Sequence, residues 1–307
     1  MKIVLFFLSI VLSLAGLGQN LVPNPSFEEV NRIPCNIYVT NISETKKVFN
    51  SIFKDWRVPT YATTDAYSLL SDKTCLTYPS REFTGAPPPK DGNNMVGLYT
   101  TELSGNNYRE YISVNLKKKL IPGQQYLCGF YTSLSTRNSF TTNSIGMYFS
   151  TDTVTHPYND IFVFSLKYRP QITFDLVSNS KDWRLFYGHF SAEQELEYLT
   201  VGNFRDNSLD NAYCFLDSIF VEPIEKLIIP NVITPNGDRY NEKFEITGLK
   251  LGRWGLKVVN RWGQLVYYST SYVGDWSGEG LSSGIYFYEV FHKYVKIVYK
   301  GSLTIIH

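Results

Sequence analysis

The stretch that decides the fold of the last part of the chain reads Pro230-Asn231-Val232-Ile233-Thr234-Pro235-Asn236-Gly237-Asp238. It lies between two strand-like segments, and the segment that follows contains the turn Asn260-Arg261-Trp262-Gly263. Further on come a Trp-x-Gly turn at 276–278, a Gly-x-Tyr-x-Tyr strand at 284–288 and a final Lys300-Gly301. Short apolar runs separated by Gly, Pro, Asn and Asp turns are typical of β-strands. The pattern predicts a small all-β module from residue 229 to residue 307.

These motifs, in this order, resemble the gliding-motility-associated C-terminal module, which is the type B sorting domain of the type IX secretion system. The resemblance implies a small immunoglobulin-like β-sandwich that acts as an address label for export across the outer membrane, with the type IX secretion machinery as its partner. Arg261 is the candidate for contact with that machinery. One departure is Arg239, where the family commonly has Gly. Because side chains disfavour a left-handed backbone, Arg239 predicts that the loop avoids this conformation there.

The length and composition of the chain favour two globular domains. A chain of 307 residues is comfortable for two, and hydrophobic residues at 43% provide ample core. The 29 basic and 28 acidic residues give a net charge of +1, so there is no electrostatic basis for a nucleic-acid partner. Aromatic residues make up 16% of the chain, with 23 Tyr and 20 Phe, and this abundance favours sheet over helix.

The N-terminus has the pattern of a secretory signal peptide. Met1-Lys2 precedes an apolar run at 3–14 and the small-residue stretch Ala15-Gly16-Leu17-Gly18, which predicts a signal peptide over residues 1–18. A transmembrane anchor is the competing interpretation, but the run is shorter than the roughly 20 residues that span a bilayer. The mature protein is therefore expected to be exported and to have no transmembrane segment.

Residues 19–222 show short alternating runs and no sustained helical period, which predicts an all-β sandwich. Pro223 and Pro230 mark its boundary with the C-terminal module, and we place the linker at residues 223–228. The strand candidates are Tyr108–Leu116, Gln125–Leu134, Ile145–Ser150, Ile161–Leu166, Trp183–Phe190, Leu196–Phe204 and Tyr213–Val221.

The two ends of this domain, Leu21 to Glu28 and Phe215 to Ile219, resemble the jelly roll of galactose-binding-like and carbohydrate-binding modules. That resemblance implies a jelly-roll β-sandwich whose first and last strands run side by side. Glu28 and Asp217 would then lie close together. Paired carboxylates repel unless a hard cation lies between them, so the resemblance predicts a structural calcium ion at this pair. The alternative is that both are exposed carboxylates at strand ends.

Four cysteines remain in the expected mature chain. Cys35 and Cys75 both lie in loop-like sequence that flanks Trp56, and we predict a disulfide between them because it would restrain a weakly ordered insertion. Cys128 and Cys214 lie in strand-like runs and are consistent with small core residues.

Aromatic side chains are the candidates for ligand binding, because a sugar ring can stack on Trp or Tyr while polar neighbours bind its hydroxyls. A long loop region and the start of a strand supply them, and the predicted ligand-binding residues are Trp56, Tyr61, Asp65, Tyr67, Tyr108 and Arg109. The competing interpretation is that most of these rings are core and that Arg109 and Glu110 only point outward from an edge strand.

No motif in the sequence predicts catalysis. Gly280-Leu281-Ser282-Ser283-Gly284 matches the nucleophile elbow of hydrolases, but no helical sequence follows it, as that mechanism requires. The leading hypothesis is a secreted or cell-surface, non-catalytic protein that binds glycan. The alternatives are a structural or adhesion protein that binds protein, and, third, a polysaccharide-active enzyme.

Overall fold

The fold described here is that of a computed structural model, in which residues 20–35, 48–60, 62–80, 85–101, 108–135, 142–154, 168–177, 182–205 and 212–307 are described. The predicted signal peptide, Tyr61 and the strand predicted at Ile161–Leu166 lie outside these residues. Chain contacts divide the described residues into two compact units, Asn20–Ile224 and Glu225–His307. The division falls inside the predicted linker. No described helix is long and apolar enough to cross a membrane.

The first unit is built from ten strands in two antiparallel five-stranded sheets. One sheet has the order β1-β4-β9-β6-β7 and the other β2-β3-β10-β5-β8. The strands are β1 (Trp56–Arg57), β2 (Asp65–Ser68), β3 (Asn94–Thr101), β4 (Tyr111–Asn115), β5 (Gln125–Leu134), β6 (Thr142–Ser150), β7 (Ile172–Val177), β8 (Arg184–Ser191), β9 (Tyr198–Gly202) and β10 (Ala212–Pro223). Successive strands alternate between the sheets except at the pairs β2–β3 and β6–β7, which is the wrapping of a jelly roll.

The core of this unit lies between the two sheets. Alternate residues of each strand point inward, so Val96, Cys214 and Leu216 of one sheet join Ile112, Val114 and Val201 of the other in one buried cluster. The N-terminal segment closes this cluster at one end: Leu21 donates its N–H to Val221 O at 2.8 Å, and Lys117 donates to Leu21 O. The first residues therefore lie beside the last strand, although they do not form a regular strand themselves.

The second unit contains a single five-stranded sheet among its described residues, with the order β11-β15-β14-β12-β13. Its strands are β11 (Val232–Ile233), β12 (Trp254–Val259), β13 (Leu265–Ser269), β14 (Gly284–His292) and β15 (Val298–Ile305). The other layer of the expected sandwich is irregular chain that supplies Phe244 and Tyr272 to the core, with Tyr272 Oη donating to Phe244 O at 2.6 Å. The all-β class is confirmed.

Candidate functional site

The outer face of the β2-β3-β10-β5-β8 sheet holds a second group of aromatic side chains. Tyr67, Met95, Tyr213 and Phe215 point away from the main core and form a cluster of their own, against which Tyr99 and Trp183 pack. Gly97 makes room for them, because a Cβ at this position would clash with the ring and hydroxyl of Tyr213. The sequence therefore builds an aromatic layer on the side of the sheet that faces away from the partner sheet.

One end of this face carries seven residues that we call the acid–tyrosine cluster: Thr63, Asp65, Tyr67, Tyr99, Tyr108, Glu110 and Tyr213. Tyr213 Oη donates to Asp65 Oδ2 at 2.6 Å, and the hydroxyls of Tyr213 and Tyr67 lie 3.1 Å apart. The ring of Tyr99 makes edge contacts with the rings of Tyr213 and Tyr108, at centroid distances of 4.8 and 6.3 Å. Hydrogen bonds and ring contacts thus fix the positions of residues from four separate stretches of chain.

Glu110 is the buried acid of the cluster, with only 1% of its surface exposed. Its Oε2 accepts the N–H of Tyr99 at 2.7 Å, and its Oε1 accepts the hydroxyls of Tyr108 at 2.8 Å and Thr63 at 3.1 Å. Burial raises the pKa of Glu110 to about 8, and the negative charge of Asp65 adds to the effect. The carboxyl is therefore largely protonated at neutral pH.

Asp65 is the accessible acid of the cluster. One carboxylate oxygen is held by Tyr213, while the residue as a whole is exposed at the surface. Desolvation raises its pKa from the ordinary value, but the surrounding water limits how far burial can act on an exposed group. Asp65, Thr63, Tyr99 and Tyr108 are exposed or half-buried, whereas Glu110 and Tyr213 hold them from beneath.

The middle of the same face is covered by the proline-rich segment. Ala86 and Pro87 are buried, and Trp183 Nε1 donates to Pro88 O at 2.8 Å. The segment continues to Lys90, whose Nζ lies 4.9 Å from the ring centre of Tyr131. The structure places this segment across the sheet, where it leaves the cluster end accessible.

The structure does not bring all the predicted ligand-binding residues together. Asp65, Tyr67 and Tyr108 lie in the cluster, although Tyr67 is buried. Trp56 is a core residue: it packs on Phe27 at 5.0 Å, and its Nε1 donates to Asn24 O at 2.8 Å. Because its ring is buried, it offers no face to a ligand, and the role predicted for it does not fit.

Arg109 is also fully buried, and its guanidinium donates to Asn203 O at 3.3 Å. Neither Arg109 nor Glu110 points outward from an edge strand, so that interpretation is corrected. Sequence reasoning also missed Tyr99 and Tyr213. The signal for Tyr213 was its alternation with Phe215 along β10, whereas Tyr99 is the single aromatic residue of β3.

Glu28 and Asp217 lie at the same loop, as the resemblance implied. Glu28 Oε1 accepts the N–H groups of Asn93 and Asn94, and Asp217 Oδ2 accepts those of Lys90 and Asp91, all at 2.8–2.9 Å.

Asp217 Oδ1 accepts a further N–H from Ser218. Backbone amides therefore occupy three of the four oxygens, and the described residues contain no group of three acidic, His or Cys side chains that could hold a metal. This donor set does not form a calcium cage by itself. Calcium stays a prediction, which the melting temperature with and without chelator tests, because an ion bound only to the folded state raises it.

Cys35 and Cys75 form a disulfide with their Cα atoms 5.1 Å apart, which is the pair favoured from the sequence. Cys128 and Cys214 are free and buried in the main core. Cys128 pairs in register with Val221 and Cys214 with Leu134, at separate places along β5 and β10, so the fold does not join them.

In the second unit, the motif residues hold turns. Asn236 Oδ1 accepts the N–H of Asp238 at 3.0 Å, and Asp238 Oδ1 accepts that of Tyr240 at 2.7 Å. Asn260 Oδ1 accepts the N–H groups of Trp262 and Gln264, both at 3.0 Å, and closes the turn between β12 and β13. These are the side-chain-to-backbone bonds for which Asn and Asp suit turns.

The backbone of this module differs from expectation at Arg239, whose φ is +78°. The prediction that Arg239 avoids the left-handed region is wrong. Its N–H is held by Glu242 Oε1 at 3.0 Å, within a loop closed by the N–H of Thr234 bonding to Asn241 O. Gly301 has a packing role, because a Cβ there would clash with the hydroxyl of Tyr288.

Comparisons with solved structures find β-rich domains with low similarity. One, described as "CBM4 structure and function", is 12% identical, covers 66% of this chain and 99% of its own, and gives a TM-score of 0.30. The K3 cleaved adhesin domain of Lys-gingipain from Porphyromonas gingivalis is also 12% identical, covers 53% of this chain and 95% of its own, and gives 0.30. TM-scores this far below 0.5 carry no argument about ligand or activity. No curated protein matches the chain.

The second unit has a family match. Residues 227–305 match the family model of CHU_C, the Type IX secretion signal domain. The match spans the turns at Thr234–Asp238 and Asn260–Gly263, the five strands and the Lys300-Gly301 pair described above. The chain therefore ends in a CHU_C Type IX secretion signal domain.

Proposed function

We propose that this protein is a secreted or cell-surface, non-catalytic binding protein that the type IX secretion machinery exports through residues 229–307. Its first unit binds glycan at the acid–tyrosine cluster. The observation that supports this most is the accessible group of Asp65, Thr63, Tyr99 and Tyr108, held in fixed positions by buried Glu110 and Tyr213. A rigid set of hydroxyl and carboxylate groups beside aromatic rings suits a sugar, which has both hydroxyls and an apolar face.

The charge of the cluster narrows the class of glycan. Asp65 accepts hydrogen bonds from sugar hydroxyls, and no Lys or Arg contacts its carboxylate among the hydrogen bonds and ion pairs of the described residues. A carboxylate without a cationic neighbour repels uronic acids and sulfated sugars. The proposal is therefore for a neutral glycan.

The buried position of Glu110 supports the non-catalytic part of the proposal. Glycoside hydrolysis needs two carboxyl groups that flank the scissile bond. Asp65 and Glu110 would be the pair here, but Glu110 has 1% of its surface exposed and is enclosed by the Tyr99 backbone and the Tyr108 and Thr63 side chains. A substrate does not reach it in this arrangement.

Glycan-array binding of the full exported chain tests the binding proposal. We expect Asp65→Ala to weaken binding at least tenfold, or about 1.4 kcal/mol, because it removes an acceptor to the ligand. Asp152→Ala is the matched control, since Asp152 is an exposed acid after β6 of the other sheet. Equal affinities for these two variants, or no binding to any glycan, would overturn the glycan proposal.

A protein ligand is the alternative. The observation that favours it is the coverage of the central sheet face by Ala86 and Pro87, which leaves less open groove for a long sugar chain. Capture of a protein partner that added sugar does not displace would support this alternative. Reducing-end release from polysaccharides would reveal an enzyme.

Export has a separate test. Deletion of residues 229–307 is expected to retain the first unit in the periplasm, while the full chain reaches the outside of the cell. Normal export of the deletion variant would overturn this part of the proposal.

A further inference from the structure

The two faces of the sheet in the signal domain differ in what covers them. Trp254, Leu256, Val258, Val290 and Leu303 point to the inner face and are buried. The outer face carries large apolar side chains from β13, β14 and β15 that are exposed: Leu265, Tyr268, Ile285, Phe287 and Val298. Contiguous exposed apolar groups of this kind mark interaction surfaces in soluble proteins.

The exposed and half-buried residues of this outer face form two rows that cross the strands. Leu265, Val259, Phe287 and Ser302 are neighbours in register, and beside them run Tyr268, Lys257, Glu289 and Lys300. A groove lies between the rows, lined by Lys257, Val259, Phe287, Glu289 and Lys300 among others. Trp262, 75% exposed in the turn that joins β12 to β13, stands at the end of the first row.

The charges on this face leave a positive surplus. Glu289 binds Lys300 through Oε1 at 2.6 Å, whereas Lys257 lies 4.0 Å from Oε2. Arg261 adds a guanidinium beside Trp262, with its Cζ 5.3 Å from the ring centre. A surface with three cations, one carboxylate and an exposed Trp complements a partner that presents apolar side chains bordered by carboxylates.

The motif loops, by contrast, have much of their hydrogen-bonding capacity occupied. Asn236, Asp238 and Asn260 bind backbone groups of their own turns, and Asn260 Nδ2 also donates to Gln264 Oε1 at 2.9 Å. These side chains hold the turns of the domain in place. A partner that recognises the domain therefore has to bind a surface that these turns position.

We propose that the outer face of the β11-β15-β14-β12-β13 sheet, with its Phe287 row and the Arg261–Trp262 turn, is the surface by which a protein of the secretion machinery binds this domain. The partner presents apolar side chains bordered by carboxylates. This inference rests on the proposed export function and names the surface that carries it.

Export of full-length variants in the native host tests the proposal. Phe287→Glu places a carboxylate in the middle of the row, and we expect at least a tenfold drop in the fraction found outside the cell, with accumulation in the periplasm. Leu251→Glu is the matched control, because Leu251 is 60% exposed in a turn of the same domain and does not belong to this face. The melting temperature of each purified variant shows that it folds.

Export of Phe287→Glu at the level of the control overturns the inference. If the 229–307 deletion is retained in the same assay, the signal function still stands, and if the deletion is exported too, both proposals fail.

A second measurement covers the case in which Phe287→Glu does not fold. A photoreactive residue at exposed Ser302 is expected to cross-link to an envelope protein whose loss also blocks export. Cross-links only to lipid, to a second copy or to the chain's own first unit, or no cross-link at all, overturn the inference.

Discussion

Each unit of this protein has one sheet face that points away from its main core, and the two faces differ in how far their polar groups are buried. In the first unit, the face carries buried polar groups, and Glu110 and Tyr213 are enclosed by partners that satisfy them. In the second unit, Lys300 is exposed and Lys257 and Glu289 are half-buried, and the large apolar residues around them are exposed.

The two faces differ in what it costs a polar group to lose its hydrogen-bond partner. A buried donor or acceptor that loses its partner is left unsatisfied at a cost of about 1–3 kcal/mol, whereas an exposed one turns to water. We therefore expect substitutions of polar groups on the first face to lower the stability of the fold, and those on the second face to change stability little.

The largest expected effect comes from the same substitution made on both faces. Glu110→Ala leaves the N–H of Tyr99 without its acceptor and opens a small cavity, so we expect a loss of about 3 kcal/mol in the free energy of unfolding. Glu289→Ala removes only exposed pairs with lysine and should cost within about 1 kcal/mol. Urea denaturation at pH 6 measures both. Losses of stability within about 0.5 kcal/mol of each other would remove the contrast between the faces.

A pair of glycine substitutions probes how firmly the aromatic layer of the first unit and the inner side of the sheet in the second unit are packed. Gly97→Ala drives a methyl group against Tyr213, which is buried and bonded to Asp65 and Tyr67, so overpacking should cost about 2 kcal/mol. Gly301→Ala meets the hydroxyl end of Tyr288, which is half-buried and able to shift, and we expect about 1 kcal/mol. Thermal melts rank the two. A larger loss for Gly301→Ala would show that the second unit is the more tightly packed one.

The pH dependence of stability tests the protonation of Glu110. Its pKa is about 8 in the folded protein against an ordinary value of 4.5, so the folded state holds the proton more tightly. The stabilisation is complete below pH 4.5 and is lost as the pH rises towards 8, with a slope of up to about 1.4 kcal/mol per pH unit. Glu110→Gln does not titrate, and its amide can replace the protonated carboxyl, donating to Tyr108 and Thr63 while its oxygen accepts from Tyr99.

Melting temperatures of the wild type and Glu110→Gln from pH 5 to pH 8 measure this contribution. The buried Asp217, with its pKa raised to about 7, changes stability in the same direction in both proteins, so the difference between the two curves reports Glu110 together with its charge coupling to Asp65. Parallel curves for the two proteins would mean that Glu110 is ionised throughout this range.

Much of the strand content followed from the sequence, because alternation along one strand is a local signal. The candidate at Gln125–Leu134 coincides with β5, and Tyr213–Val221 falls within β10. β3 was missed although it lies next to β10 in its sheet, because Gly97 interrupts its pattern. Glycine inside a strand predicts a weak strand, but here it provides the space that Tyr213 needs.

The acid–tyrosine cluster was predicted only in pieces. Asp65, Tyr67 and Tyr108 were selected as possible ligand contacts, but of the partners that fix them Tyr213 comes from β10 and Glu110 directly precedes β4 of the other sheet. Their pairing depends on strand register across the whole sheet, which no local pattern contains. Arg239 was mispredicted for a similar reason, because bonds from Glu242 and the rest of the loop outweigh the intrinsic preference of one residue.

The smallest expected effect concerns the row of Lys257, Glu289 and Lys300 in the signal domain. It decides whether this row stabilises the fold. A double-mutant cycle with Lys300→Ala and Glu289→Ala should give a coupling of about 0.2–1 kcal/mol, because both side chains are exposed and water screens the pair. The coupling should weaken further in 1 M salt, where the screening length falls to about 3 Å. A coupling well above this range, unchanged by salt, would make the row a structural feature of the domain. A small, salt-sensitive coupling leaves the Lys300–Glu289 pair with no large role in stability, so that a loss of export on replacement of Lys300 has to be a loss of binding.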